Sequence, residues 1–310
     1  SRIEFDVPGQ YLTLKRLLLD NLIVEKAASC GAILRRAKVA RVTARPDGDA
    51  LLDIAGSESP VWAKVALIAT GASVELASGL GLVEQPGPGA VALRCYVRSS
   101  FDIDRLIISY DRTITPGYAW IFPLGAGEYN VGCGIRYRAN GARVNLRKAY
   151  DIFIKNFPLA ADLMRRAESV TPLQGAMLRC GLKGTRPLGP GNILVIGETI
   201  GATFPFTGEG IGKAMETGEI AADVCHSALV TGDFSCLGEF PSRIERELGP
   251  KYLGYLLAED WLSKPWFNDL VARRVRRSRY LQESIAGIVN ETADPRETFS
   301  LRGVLRSFLK

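Results

Sequence analysis

The stretch Phe204–Val224, FPFTGEGIGKAMETGEIAADV, sets three alternate glycines, Gly208, Gly210 and Gly212, ahead of Ala214, Met215, Ile220, Ala221 and Val224. Those apolar residues fall on one face at helical spacing. Thr207 is placed to cap such a helix, and Glu209 lies where the helix dipole favours a carboxylate. Bare glycines at a helix start let a ligand approach the backbone, and the N–H groups there attract negative charge. Two readings follow: a capped helix packed on a sheet, or a site for an oxyanion or phosphate. A P-loop is excluded, because no Ser or Thr follows Lys213 and Thr207 stands where its first glycine belongs.

A second element belongs with the turn. The apolar run Ile193–Ile196 ends in Gly197-Glu198, ten residues before it. Ligands of open α/β sheets sit beyond the carboxyl ends of strands. A carboxylate there suits a ribose-like or ribityl hydroxyl, and the helix start suits pyrophosphate or an electron-rich ring edge. A third element is YAWIFPLGAGEYNVGCG, residues 118–134. Strand alternation puts Tyr118, Trp120 and Phe122 on one face, followed by Pro123, while Gly132 and Gly134 let the next strand approach. The face reads either as a wall beside a ligand or as the aromatic core of a sandwich.

These residues need elements to hold them. Residues 11–30 predict a helix with apolar positions Leu18, Leu19, Leu22, Ile23 and Ala27. Strands are expected at 32–44, 50–55 and 62–70, the run Val65–Thr70 being apolar enough for a buried parallel strand. Pro86-Gly-Pro-Gly89 predicts a linker. Beyond it, residues 90–97, 105–110, 118–123 and 128–135 predict an antiparallel sheet and 145–167 a helix, with Pro158 starting a new turn. A buried strand at 192–197 and the turn follow, and 236–310 reads as mostly helical. The expected fold is α/β: a discontinuous first domain over 1–87 and 186–232, a β-sheet domain over 88–185 and a helical region over 233–310.

Composition narrows the chemistry. The 310 residues suffice for two cored domains. No run of 18 apolar residues predicts a membrane-spanning helix. The six cysteines show no C-x-x-C pair and His226 is the single histidine, which excludes a zinc constellation and disfavours a Ser-His-Asp hydrolase. Reduced thiols point to a cytosolic protein. The formal charge of +6 gathers late: from Lys264 onward stand ten basic and five acidic residues. Solvation is the default role of that segment and lipid headgroups the next; no nucleic-acid module accompanies it.

With these residues in view, the chain resembles the geranylgeranyl reductase family of FAD-dependent oxidoreductases, within the hydroxybenzoate-hydroxylase-like flavoproteins. GNILVIGETIGATFPFTGEGIGKAMETGEIAADV is similar to the family's second flavin-binding segment, with Glu198 in place of the usual aspartate. Tyr118, Trp120, Phe122, Pro123, Gly132 and Gly134 match its Y-x-W-x-F-P and G-x-G pattern. Arg16 with Leu19-Asp20 resembles R-x-x-L-D, whose arginine lies near the FAD phosphates. Leu67–Ser73 resembles the strand ending in Asp-Gly, with Thr70 replacing the aspartate, and 285–309 resembles the C-terminal end. The family's opening G-x-G-x-x-G unit has no counterpart: Gly87-Pro-Gly89-Ala-Val-Ala92 matches in letters, but it holds Pro88 and lacks a preceding strand. The expectation is a fragment of a longer protein, with an incomplete Rossmann-like FAD-binding domain.

The resemblance implies reduction of C=C bonds in an isoprenoid lipid or prenylated precursor. It assigns FAD to Arg16, Gly197, Glu198, Pro205, Gly208, Glu209 and Gly210, and the isoprenoid to Tyr118, Trp120, Phe122, Pro123, Gly132 and Gly134. NAD(P)H or a ferredoxin would be the reductant. No catalytic acid is identified; solvent and Tyr118 are the candidates. The basic C-terminal segment would hold the protein at a membrane surface, and nothing fixes the oligomeric state. Alternatives are a flavin monooxygenase or halogenase on the same scaffold, although the halogenase pattern W-x-W-x-I-P is absent, and a flavin-free isoprenoid-binding protein.

Overall fold

The structure, a computed structural model, describes residues 4, 6–9, 11–85, 87–137 and 145–309. Pro86, part of the expected linker, lies outside them. In chain order the elements begin with α1 (Arg16–Ser29), β1 (Val39–Ala44), β2 (Ala50–Ile54), β3 (Val61–Ala63), β4 (Ala66–Ile68) and α2 (Glu75–Gly79). Then come β5 (Ala90–Ser99), β6 (Ile107–Ser109), β7 (Gly117–Gly125), β8 (Glu128–Arg136), α3 (Leu146–Asn156), α4 (Pro158–Arg165), β9 (Ala167–Val170) and β10 (Gln174–Leu178). After β11 (Ile193–Val195) the remainder is helical: α5 (Ile211–Thr231), α6 (Glu239–Glu247), α7 (Gly249–Leu262), α8 (Pro265–Val275), α9 (Arg279–Val289), α10 (Pro295–Thr298) and α11 (Leu301–Leu309).

Two compact units emerge. One comprises residues 1–8, 38–90 and 177–310, the other 9–37 and 91–176. The expected grouping differs in several places, residues 88–90 and 177–185 of the expected sheet domain falling in the first unit. Residues 9–37 cluster with the antiparallel sheet, and the C-terminal helices join the unit that contains β4 and β11.

The first unit holds a three-stranded antiparallel sheet, β1-β2-β3, and a parallel pair, β11-β4, with Leu194 opposite Leu67. All three β11 residues are buried, as a continuous apolar run requires. β4 instead alternates, with Leu67 at its centre exposed. Helix α5 lays Ile220, Ala221, Val224 and Ala228 on the core that β11 shares with Phe204, Phe240 and Tyr252. This periodicity of three and four buries one stripe of the helix.

The second unit is a six-stranded sheet in the order β10-β5-β8-β7-β6, with β9 also paired to β5. Its buried face sets Cys95, Val97, Ala119, Ile121, Val131 and Cys133 against Tyr150 and Phe153 of α3 and Leu163 of α4. The Asn145 side chain caps α3 by accepting from the Lys148 N–H at 3.0 Å, and Pro158 opens α4. Helix α1 spans less than expected and buries none of its residues; Leu17, Leu18, Leu22 and Ile23 are exposed. Periodicity marks a face suited to cover, and the described residues do not cover this one.

Candidate functional site

The parallel pair carries the first set of candidates. Beyond β11 the chain turns at Gly197, whose φ of +63° suits glycine. The Gly197 N–H donates to Thr217 Oγ1 at 2.9 Å, and that hydroxyl donates to the Ala214 carbonyl at 2.9 Å. A Cβ at Gly197 would lie 3.6 Å from the Ala214 Cβ. One hydroxyl thus joins the strand end to the second turn of α5. Beside it the Glu198 carboxylate accepts from the Arg179 backbone N–H at 3.2 Å. Beyond β4, Thr70 donates to the Ser73 carbonyl at 2.7 Å and Thr199 to the Gly71 carbonyl at 3.0 Å, with 3.4 Å between the two hydroxyls. Hydroxyls and a carboxylate therefore gather where the two parallel strands end.

The glycine turn completes this set. The Phe204 N–H donates to the Glu209 carbonyl at 2.7 Å and the Gly208 N–H returns to the Phe204 carbonyl at 3.1 Å, closing the loop on itself. Gly208 has φ +70°, a region costly to other residues. At Gly210 the requirement is space, since a Cβ would lie 2.6 Å from Thr203 Oγ1. The helix starts at Ile211 with Gly210 as its N-cap, so the expected Thr207 cap is not formed. Glu209 takes that role instead, its carboxylate accepting from the Gly212 N–H at 2.8 Å. A residue two positions before the helix reaches forward into the first turn, a geometry that residue type alone does not announce. Burial pushes the Glu209 carboxyl up, against the lowering effects of that N–H and of Lys213. Among the described residues the Ile211 and Lys213 amides have no backbone or side-chain acceptor, as the first turn of any helix leaves them.

Two residues here escaped the sequence reading. Arg179 is buried and donates to the carbonyls of Gln85 and Gly87 and to Thr185 Oγ1, at 3.2, 3.4 and 2.9 Å. Lys213 is only 2% exposed although it lies on a helix. Each is held partly by residues distant in sequence, Arg179 by Gln85 and Gly87 and Lys213 by Glu291.

In the sheet unit the expected aromatic face forms. Tyr118, Trp120 and Phe122 are half-buried and successive rings stand 5.8 and 6.0 Å apart, while Ala119 and Ile121 point into the core. Trp120 Nε1 donates to Asn130 Oδ1 on β8 at 3.1 Å. Opposite Trp120 in the ladder is Gly132, where a Cβ would lie 2.4 Å from the indole and 2.5 Å from the Leu93 carbonyl. Gly132 therefore makes room for the ring as well as for the neighbouring strand. Gly134 is less constrained, its nearest neighbours lying at 3.6 Å. The Thr13 hydroxyl donates to the Pro123 carbonyl. Arg94 lies over the Tyr96 ring at 4.3 Å, and Lys15 pairs with Glu128 at 2.7 Å. Arg16, the expected phosphate ligand, donates to Asp20 at 3.0 and 3.2 Å, is largely exposed and belongs to this unit.

The described residues contain no group of side chains suited to a metal ion, and no disulfide forms among the six cysteines. No described helix is long and apolar enough to cross a membrane.

Comparison with known proteins places the chain. Residues 91–171 match the geranylgeranyl reductase catalytic domain. A digeranylgeranylglycerophospholipid reductase of Methanoculleus marisnigri is 27% identical over 298 residues, covering 90% of this chain and 71% of that protein. The Methanocaldococcus jannaschii reductase of the same name is 28% identical, over 81% of this chain and 63% of its own length. A menaquinone reductase of Mycolicibacterium smegmatis is 29% identical, over 74% and 57%. The chain thus spans between 57% and 71% of the length of these three relatives. Among solved structures, a geranylgeranyl bacteriochlorophyll reductase-like protein of Thermoplasma acidophilum superposes with a TM-score of 0.71 at 22% identity, covering 95% of this chain and 72% of that one. The flavin-dependent brominase Bmp2 does so at 0.68 and 17%, covering 96% and 75%. These two share the mixed α/β fold with antiparallel sheets. Residues 91–171 are thus similar to the geranylgeranyl reductase catalytic domain, and most of the chain is similar in sequence to proteins named digeranylgeranylglycerophospholipid reductase.

Proposed function

We propose that this chain is part of an FAD-dependent oxidoreductase that saturates C=C bonds of an isoprenoid lipid or prenylated precursor. The observation that carries the proposal is the catalytic-domain match over 91–171, which contains the Tyr118-Trp120-Phe122 face. The turn in the other unit suits a flavin: a 21-residue helix starts at Ile211 just after the glycines, and the Glu198 carboxylate follows the end of β11. When bound and reduced, the flavin supplies the hydride. The Ile211 and Lys213 amides of the first turn would offset negative charge on the ring, Gly208 and Gly210 would let it approach the backbone, and Glu198, with Gly197 setting its place, would hold the ribityl hydroxyls. Pro205 and Glu209 shape the turn rather than touch chemistry. The aromatic face would hold an isoprenoid by apolar contact and keep water from its double bonds.

The finer reading extends this. The parallel pair would belong to a Rossmann-like FAD-binding domain. The C-terminal basic segment would rest on an anionic membrane surface. NAD(P)H and reduced ferredoxin are the two candidate reductants. The brominase shares the fold alone, whereas the catalytic-domain match favours reduction over halogenation.

The test is to add FAD to the purified chain, reduce it anaerobically and supply a geranylgeranyl glycerophospholipid. Bound flavin, and a product heavier by one hydrogen pair for each double bond, are expected. A chain that binds the lipid but never a flavin overturns the reductase reading.

A further inference from the structure

The buried ammonium of Lys213 is the most unusual charged group in the first unit. It stands in the first turn of α5, three residues after Gly210, and points into the protein. It bonds Glu216 on the same helix and Glu291 Oε2, the latter at 2.8 Å, and lies 4.7 Å above the Phe204 ring. Burial pulls its pKa down, but the two carboxylates outweigh burial and hold it above the usual lysine value. Glu291 lies two residues beyond the end of α9, and its φ of +56° is one that a residue with a Cβ adopts only at a cost. The ion pair holds that conformation in place.

A second link runs beside the first. Phe204, which opens and closes the glycine turn through its own backbone, stacks on Tyr255 at 4.2 Å. The Tyr255 hydroxyl donates to the Ile288 carbonyl at 2.8 Å, in the last turn of α9. Both ends of the turn are therefore fastened to the same few residues, 288–291.

We propose that Lys213 is a positioning residue, which through Glu291 lets the C-terminal end of α9 set the shape of the glycine turn and the charge beside it. As far as it concerns cofactor chemistry, this rests on the flavin reading above. Without Glu291 the buried Lys213 charge keeps only Glu216, so forming the end of α9 stabilises the turn. The charges have opposite expected effects on a ring that becomes more negative on reduction. Glu291 opposes reduction and Lys213 favours it.

Two measurements on the full chain test the proposal. In the flavin-free protein, hydrogen exchange at residues 204–217 is expected to be roughly tenfold faster in Glu291→Gln than in the wild type, with the sheet unit unchanged. Equal exchange overturns the proposal whether or not flavin binds. In the FAD-loaded protein, the flavin midpoint potential should rise in Glu291→Gln, fall in Lys213→Met and return toward the wild-type value in Lys213→Arg. Shifts of the same sign in the first two variants, or no shift, would mean a packing role and overturn the proposal. Failure of the wild type to bind FAD would instead refute the flavin reading and leave the exchange measurement to decide the role of Lys213.

Discussion

Trp120 and Gly132 are partners in the β7–β8 ladder, and the indole occupies the space that a Cβ at Gly132 would take. Ala at 132 would have to move both the ring and the Leu93 carbonyl. Overpacking of this kind costs about 1–3 kcal/mol. Gly132→Ala is therefore expected to lower the melting temperature clearly, and Gly134→Ala, with neighbours no nearer than 3.6 Å, to change it little. Thermal melts of both variants check this, and equal melts would show that the indole can leave its place freely.

The aromatic face should act in substrate binding more than in folding, since its rings are only half-buried. Trp120→Ala removes apolar contact worth about 1.5 kcal/mol to a bound chain, roughly tenfold in KM. Steady-state rates with an isoprenoid lipid test this. A changed kcat with constant KM would argue for a role in the reaction itself.

At the glycine turn the obstacle is a single oxygen. Gly210→Ala brings a Cβ to 2.6 Å from Thr203 Oγ1, and should cost about 1–3 kcal/mol and weaken FAD binding. Adding Thr203→Ala removes that oxygen and should restore much of both. The double-mutant cycle is the measurement, and additive effects would show that the clash lies elsewhere.

Glu209 gives a pH dependence of definite sign. Its carboxyl titrates above the ordinary value of 4.5 in the folded chain because burial outweighs the Gly212 N–H. The folded state therefore holds this proton more tightly than the unfolded one. The resulting stabilisation is complete below the unfolded value and is lost as pH rises through the raised one. Urea midpoints from pH 4 upward should fall more steeply in the wild type than in Glu209→Gln. Parallel curves would assign the dependence to other groups.

Much of this was legible in the sequence because it rests on local rules. Ile193–Val195 is continuously apolar and buried, and alternation alone placed Tyr118, Trp120 and Phe122 opposite Ala119 and Ile121. The glycines announced a tight turn. What stayed hidden depends on distant partners. Lys213 looks like a solvated helix residue until Glu291, 78 positions later, is seen beside it. Glu209 displaced Thr207 as the cap because a longer side chain can reach the first turn from outside the helix. The apolar pattern of α1 predicted burial, yet no residue of that helix is buried among the described ones.

The Thr217 hydroxyl, which accepts from Gly197 and donates to Ala214, has a consequence for how the protein can change. It fixes the spacing between the end of β11 and the start of α5, so the carboxylate of Glu198 and the amides of the turn form one rigid gauge. Substitutions on the outer surface of α5 leave that gauge untouched. A side chain at 197, a larger one at 214 or the loss of the hydroxyl at 217 resets it. The three positions are coupled through one hydroxyl, so a change at one is expected to be offset by a matching change at another.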